Sequence, residues 1–394
     1  MIPHLLRRAA RVSAASAFVL ASAGLSTSVR AAPAPEPAAP TRAAPAAAAT
    51  GKDVRGIPLT GTGPALRQLS ARSTGPFSMV GLTWADARAR LDGTAEVRTR
   101  DRVTGVWSAW RALESDVRTP EVGAAGGSAL RAGTQPLWTG PSDGVQVRVT
   151  ARPGAQLPGG LRLDLVRVAK VPPGPRRPAD EAAPAPATES SVTAAPRPAV
   201  TPRAGWGADE SLVVDPPRYS AETKAVFVHH TAGTNDYACA ESPDLIRAIF
   251  LYHVQGLGWN DIGYPFLVDK CGTVFEGRAG GTDQPVVGAQ TYGFNTDTTG
   301  VAVLGDHNDA VSSPVLLDAI AGVAAWKLGL YGHDASGTAE LTAAADNGLY
   351  GKGQKAVLNR ISGHRDAYPT ECPGRNLYAD LPTIRGLAAV AQAG

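Results

Sequence analysis

The sequence of 394 residues is poor in cysteine, and it has neither a large net charge nor a long apolar run. Its 38 basic and 35 acidic side chains leave a formal net charge of +3, and its cysteines are Cys239, Cys271 and Cys372. One of three cysteines must stay outside any disulfide within the chain, so it needs another role, such as metal binding. The apolar run at residues 12–25 is shorter than the roughly 20 residues that a membrane-spanning helix needs. We therefore expect no stable membrane insertion.

The first residues have the pattern of an export signal. Three arginines among residues 7–11 precede the apolar run, and Val-Arg-Ala at residues 29–31 offers a cleavage site before Ala32. We predict a signal peptide over residues 1–31 and a secreted protein. A weak N-terminal anchor is the alternative.

The charge is divided unevenly between the two halves of the remaining chain. Residues 32–200 contain 21 basic and 14 acidic side chains, a balance of +7, and residues 201–394 contain 13 and 21, a balance of −8. A basic half can attract nucleic acid or another anionic polymer. Because we predict export, we expect anionic wall polymers as possible partners and no nucleic acid.

Two Ala/Pro-rich segments at residues 32–50 and 172–200 contain too few large apolar side chains to fold, and we interpret both as linkers. They isolate a module at residues 51–171. Its strands are indicated by alternating apolar and polar residues. Such strings occur at residues 77–84, 96–100, 145–149 and 161–168. We predict a small all-β, sandwich-like domain with a possible role in wall binding.

An aromatic pair, Trp107 and Trp110, lies within this module. Such residues can stack on sugars, but in a small sandwich they more often pack in the core. We predict core packing, and we expect the alternating arginines to line the solvent face.

The pattern becomes mixed from residue 201 onward. Ser242 followed by Pro243 predicts a helix start with Ser242 as the N-cap. Apolar strings predict buried strands at 225–228 and 300–304, a hairpin at 266–276 and a helix at 314–330. We predict an α/β domain over residues 201–394, with a mixed central β-sheet and flanking helices.

This half also contains residue types that bind zinc. His229 follows a predicted strand, and His364 and Cys372 lie eight residues apart on a later loop. Three protein ligands and one water make a catalytic zinc site. On residue types alone, core histidines and a buried thiol explain the pattern equally well.

Five short strings in a fixed order distinguish these readings. They are HHTAG at 229–233, GWNDIGY at 258–264, FEGR at 275–278, GHRD at 363–366 and TECPG at 370–374. The set resembles the peptidoglycan recognition protein family and, more broadly, the type 2 N-acetylmuramoyl-L-alanine amidases. The resemblance covers about residues 203–390.

The resemblance implies one Zn²⁺ ion per chain, bound by His229, His364 and Cys372. It implies that Tyr264 is a catalytic partner of the zinc-bound water. Thr370 occupies the position two residues before the cysteine ligand, from which it can donate a hydrogen bond to the oxyanion.

The resemblance also implies a substrate groove and a disulfide. We expect substrate contacts from His230, Arg278, Gln290 and Asn295. Gln290 replaces a histidine that the family usually has, and glutamine cannot transfer a proton. Cys239 and Cys271 are expected to form the disulfide; two buried thiols are the alternative.

The other histidines have simpler interpretations. His253 matches a structural histidine of the family, and His307 and His333 are expected on surface loops.

These features predict a monomeric amidase that cleaves the bond between N-acetylmuramic acid and L-alanine in peptidoglycan. Cys372 is present, whereas family members without catalysis have lost this ligand. The alternative is a peptidoglycan-binding recognition protein with little or no turnover.

Overall fold

The computed structural model describes residues 53–61, 63–115, 130–169 and 195–394. The predicted signal peptide at 1–31, the linker at 32–50 and residues 172–194 of the second linker lie outside these ranges. Among the described residues, no helix combines the length and the hydropathy that crossing a bilayer requires.

The N-terminal domain is all-β, as predicted. Its strands are β1 (Val54–Pro58), β2 (Leu66–Trp84), β3 (Gly93–Asp101), β4 (Arg111–Ala112), β5 (Ala132–Gly133), β6 (Leu137–Ala151) and β7 (Arg162–Val166). They form one antiparallel sheet in the order β1-β7-β2-β6-β3-β4, with β5 paired to β2. The register between β2 and β6 shifts at three points along these long strands.

Alternation along the strands explains the core of this domain. Val145, Val147 and Val149 of β6 are fully buried, and they join Val97 of β3 and Leu163 of β7 in one apolar cluster. Almost every strand therefore contributes to this one cluster, which forms the domain's own core.

The prediction of core packing for the tryptophan pair is wrong. Trp107 and Trp110 are half-buried and lie on the outer face. The guanidinium carbon of Arg98 is 5.3 Å from the centroid of each ring, and that of Arg148 is 4.4 Å from the centroid of Trp110. Alternation places Arg98 on the face opposite Val97, and the guanidinium groups offer the rings cation–π contacts there. The expectation of arginines on the solvent face is met.

The C-terminal domain is a mixed α/β structure, as predicted. Its strands are β8 (Val200–Thr201), β9 (Ala225–His230), β10 (Phe266–Val268), β11 (Val274–Glu276), β12 (Thr298–Val303), β13 (Thr338–Thr342), β14 (Lys355–Asn359) and β15 (Ile361–Gly363). Its helices are α1 (Arg203–Trp206), α2 (Ser242–Leu251), α3 (Pro314–Gly329), α4 (His364–Ala367), α5 (Arg375–Ala379) and α6 (Leu381–Ala393). A π-helical turn, Tyr252–Gly256, extends α2.

The central sheet has the order β15-β9-β12-β10-β11-β8, and only the β10–β11 pair is antiparallel. Val301 and Val303 pack in the cluster that contains α3 and α6, whereas Ala302 packs in the cluster that contains α2. Helices therefore cover both faces, which explains why the strands appear in the sequence as continuous apolar runs.

Two boundaries differ from the prediction. The second linker was predicted to end at residue 200, but Ala195 is already buried in the core of the C-terminal domain, and β8 pairs with β11. Ser242 is not the N-cap of α2, because a 3₁₀ turn leads into the helix and the Ser242 hydroxyl donates to Asp269 at 2.9 Å.

Candidate metal centre

Parallel pairing at one edge of the sheet places two predicted ligands side by side. In the β15–β9 register Gly363 lies opposite Val228, so the next residues, His364 and His229, emerge at the same end of the sheet. Their ring centroids are 4.5 Å apart.

The third predicted ligand reaches the same point from a loop. Cys372 is buried and forms no disulfide, and its Sγ lies 3.6 Å from Nδ1 of His229. The loop is closed by Arg365 N–H, which donates to the Cys372 carbonyl at 3.0 Å. The backbone N–H of His230 donates to Cys372 Sγ at 3.4 Å, a contact that favours a thiolate.

The geometry of these three side chains fits zinc. One ligand atom from each lies within 4.8 Å of the others. In a tetrahedral site with a Zn–S bond of about 2.3 Å and a Zn–N bond of about 2.0–2.1 Å, the sulfur and nitrogen ligands lie about 3.6 Å apart. The observed distance between Nδ1 of His229 and Sγ of Cys372 is also 3.6 Å. Neither ring nitrogen of buried His364 has a hydrogen-bond partner among the described residues, so this imidazole has a nitrogen to offer a metal.

Burial also keeps the imidazoles in the form that binds metals. It lowers the pKa of His364 to about 3 and the pKa of His229 well below its usual value, and neighbouring histidines add to both shifts. Neutral imidazole is the form that coordinates zinc, so both rings are ready to bind at neutral pH.

Thr291 was not among the predicted site residues. Its hydroxyl oxygen lies 3.3 Å from Nε2 of His229, while Nδ1 of the same ring faces Cys372. A metal-bound imidazole commonly donates its other N–H to such a partner, which fixes the tautomer and the ring orientation. Its position directly after Gln290, a predicted substrate-binding residue, could have marked Thr291 as a residue of the site.

The two predicted catalytic partners lie close to the ligands. The ring of Tyr264 is 5.5 Å from the ring of His229. Thr370 accepts a hydrogen bond from Cys372 N–H at 3.0 Å, which ties its hydroxyl to the ligand loop.

The residues predicted to bind substrate are all buried. Asn295 accepts a hydrogen bond from Thr291 N–H at 2.9 Å and thereby supports the residue behind His229. Gln290 contacts the Thr298 hydroxyl at 3.4 Å, and its carbonyl oxygen has no partner among the described residues. Arg278 donates to the Ile262 carbonyl at 3.2 Å.

His230 is also fully buried, and its ring does not face the ligands. Nε2 lies 3.4 Å from a carboxylate oxygen of Glu114, a residue of the N-terminal domain. The sequence prediction treated the two domains as separated by a linker, so it gave no reason to expect this neighbour.

The predicted disulfide between Cys239 and Cys271 is present. Asp269 lies beside it, but its carboxylate accepts hydrogen bonds from the backbone N–H groups of Cys271 and Thr273. With both sulfurs joined to each other, this second group of potential ligands is not a zinc site.

His253 is a structural residue, as predicted, and its Nδ1 accepts a hydrogen bond from Gly263 N–H. The surface prediction for His307 is wrong. His307 is buried, and the backbone N–H of Asn376, at the start of the C-terminal helices, donates to its carbonyl. His333 is partly buried and pairs with Glu222 at 2.7 Å.

Comparison with known proteins accounts for both domains. Residues 31–190 match a family described as Rv3811 N-terminal galactose-binding domain-like, and residues 219–375 match the N-acetylmuramoyl-L-alanine amidase family. Peptidoglycan-recognition protein SC2 of Drosophila simulans is 30% identical over 158 residues, which cover 40% of this chain and 71% of that protein. The chain belongs to the peptidoglycan recognition protein family.

Further relatives extend this result. The peptidoglycan recognition protein of Trichoplusia ni is 31% identical over 159 residues, with 40% and 71% of the two chains covered. Among solved structures, Drosophila PGRP-LB has 23% identity and a TM-score of 0.37, with 46% of this chain and 91% of that chain covered. By its two family matches, this peptidoglycan recognition protein combines a galactose-binding-like domain with a domain of the amidase family.

Proposed function

We propose that the protein is a secreted, zinc-dependent N-acetylmuramoyl-L-alanine amidase. It hydrolyses the amide bond between the lactyl group of N-acetylmuramic acid and L-alanine in peptidoglycan. The observation that supports catalysis most directly is the buried cluster of His229, His364 and Cys372, which offers three ligands and leaves the fourth tetrahedral position for water.

The ligand set and its neighbours divide the chemistry between them. Zinc held by these ligands supplies an activated water near neutral pH and polarises the amide carbonyl. Tyr264, beside His229, donates a hydrogen bond to the oxygen that gains negative charge in the transition state. Thr370 is held at the ligand loop, where its hydroxyl meets the same oxygen.

A recognition protein without turnover is the second candidate. The names of the relatives, peptidoglycan-recognition proteins, support a peptidoglycan ligand and leave catalysis open. The intact cysteine ligand favours an enzyme, because binding alone has no need of a thiolate beside two neutral imidazoles.

The test is digestion of purified peptidoglycan followed by mass spectrometry. Zinc-loaded protein is expected to release peptides that begin with L-alanine, and chelator-treated protein and Cys372→Ser are expected to release none. Restored cleavage after zinc is added back to the chelated protein excludes denaturation. His333→Ala, which alters a histidine outside the ligand cluster, is the control and is expected to cleave normally.

Equal cleavage with and without zinc contradicts the zinc mechanism. Tight binding of peptidoglycan with no new amino termini supports the recognition protein instead.

Secretion is part of the proposal. The export pattern at residues 1–31 and the Cys239–Cys271 disulfide support it, since disulfides persist mainly in oxidising compartments. Amino-terminal sequencing of the protein from culture medium is expected to begin at Ala32, and protein confined to the cytoplasm contradicts it.

A further inference from the structure

The two domains share one apolar core. Met79, Trp138 and Val166 of the N-terminal domain lie in the same buried cluster as Leu245 and Ile249 of α2. A buried apolar contact of this kind resembles a domain interior more than a transient interface. The N-terminal domain therefore packs against the C-terminal domain and is not joined to it by the linker alone.

One tyrosine shows how closely the domains fit. Tyr252 is fully buried, and its hydroxyl lies 3.0 Å from the Thr134 carbonyl and 3.2 Å from the Leu82 carbonyl, both in the N-terminal domain. Its ring lies against Gly81 and Gly133, where any Cβ atom would collide with it. The strands β2 and β5 thus form a glycine-lined slot for this side chain.

This docking brings Glu114 to the metal centre. Its carboxylate contacts Nε2 of His230 at 3.4 Å and accepts a hydrogen bond from the Asn308 side chain at 3.4 Å. Its own carbonyl accepts a hydrogen bond from Gln135 N–H at 2.7 Å, which fixes the segment that carries it. The side chain is about one quarter exposed, so a protein wall surrounds most of it.

His230 connects this carboxylate to a metal ligand. Its Nδ1 accepts a hydrogen bond from His307 N–H at 3.2 Å, so Nε2 is the ring nitrogen that faces Glu114, at 3.4 Å and without a hydrogen-bond partner among the described residues. Its backbone N–H donates to Sγ of Cys372. A shift of His230 therefore changes the surroundings of the thiolate directly.

We propose that Glu114 of the N-terminal domain is a positioning residue for the metal centre and acts through His230. The carboxylate lies within ion-pair distance of Nε2 and orients the imidazole electrostatically, and the same residue places its backbone N–H on the Cys372 sulfur. The inference rests on the proposed zinc site. Partners in the outer shell of a metal typically change metal affinity or activity by roughly 10–100-fold when they are removed.

The experiment measures zinc retention without substrate. Zinc-loaded full-length protein is mixed with a chromophoric chelator, and the release rate is compared for wild type, Glu114→Ala, Glu114→Gln and Asp92→Ala. The cobalt-loaded proteins give a second readout, the thiolate-to-cobalt absorption band. Asp92 is an exposed carboxylate of the same domain that pairs with Arg152, so its replacement controls for lost charge. Thermal unfolding confirms that each variant is folded.

We expect Glu114→Ala to release zinc roughly 10-fold faster or more and to shift the cobalt band. Glu114→Gln, whose amide oxygen still places a partial negative charge beside Nε2, is expected to stay within about twofold of wild type, as is Asp92→Ala. In cleavage assays Glu114→Ala is expected to lower kcat with KM little changed.

Wild-type zinc release and an unshifted band in folded Glu114→Ala overturn the proposal, and so does a Gln variant as poor as the Ala variant. A wild-type protein that binds zinc but cleaves no peptidoglycan refutes the proposed function and leaves the role of Glu114 standing. An active enzyme whose zinc release does not change in Glu114→Ala supports the proposed function and refutes the role of Glu114.

Discussion

Two adjacent histidines at the end of β9 are both fully buried, yet they serve different parts of the molecule. His229 lies with His364 and Cys372, all in the C-terminal domain. His230 points the other way, toward Glu114 of the N-terminal domain. Because successive side chains of a strand face opposite sides, one strand end supplies a proposed metal ligand on one side and a domain contact on the other. Burial alone therefore does not distinguish a ligand from the residue that supports it.

Replacing each histidine in turn is the sharpest test of this comparison. His229→Ala removes a ligand, so we expect zinc to be lost and cleavage to fall by about 1,000-fold or more, since metal assistance contributes several kcal/mol. His230→Ala keeps all three ligands and is expected to be purified with zinc bound, but to release it roughly 10-fold faster than wild type and to have roughly 10–100-fold lower activity. Metal analysis and cleavage rates of the purified variants check both. Equal zinc loss in the two variants would show that His229 and His230 do not play different parts in binding the metal.

Thr291→Val tests the support of His229 on its other nitrogen. Valine has the same shape and lacks the hydroxyl, so the ring loses the contact at Nε2. We expect activity and zinc affinity to fall by roughly 10-fold. Thr338→Val on the exposed face of β13 is the matched control. An unchanged Thr291→Val variant shows that packing alone orients the ring.

Tyr252→Phe tests the packing of the two domains against each other. It keeps the ring in its slot but removes the hydroxyl that contacts the Leu82 and Thr134 carbonyls; the Leu82 carbonyl keeps the Thr134 N–H as a donor. The free energy of unfolding is expected to fall by about 1–3 kcal/mol, with both domains unfolding in one transition. Denaturant unfolding measures this, and the exposed Tyr219→Phe is the control. Two separate transitions in wild type would contradict the shared core.

A third buried histidine, His253, belongs to neither group, and its effect is confined to acidic pH. Burial lowers its pKa to about 3, against 6.5 for the unfolded chain. The unfolded state thus binds more protons below pH 6.5, so the stability present above that pH is lost as pH falls toward 3, by at most about 1.4 kcal/mol per pH unit.

Measuring the free energy of unfolding from pH 7 to pH 4 tests this. The slope of His253→Gln is expected to be smaller than that of wild type by up to that amount. Equal slopes would show that His253 is accessible to protons in the folded protein.

Patterns within one domain predicted most of the fold and the three residues that the structure brings together as a candidate metal centre. Alternation gave the strands around Val147, and the ordered strings gave His229, His364 and Cys372 together with the disulfide. These features depend on strand period and on short strings, which one sequence records directly.

Contacts between distant segments could not be predicted. Glu114 and His230 are 116 residues apart and meet where the two domains pack together, a contact to which Met79 and Tyr252 contribute. His307 resembles a loop residue in sequence and becomes buried when the C-terminal helices pack beside it. Trp107 was assigned to the core because no pattern shows that Arg98 covers it on the outer face.

The most direct test of the central claim is a crystal structure of the zinc-loaded protein with anomalous diffraction at the zinc edge. We predict one strong peak per chain, bound by Nδ1 of His229, a ring nitrogen of His364 and Sγ of Cys372, with a Zn–S distance of about 2.3 Å. No peak at this cluster, or a peak held by other residues, would contradict the account.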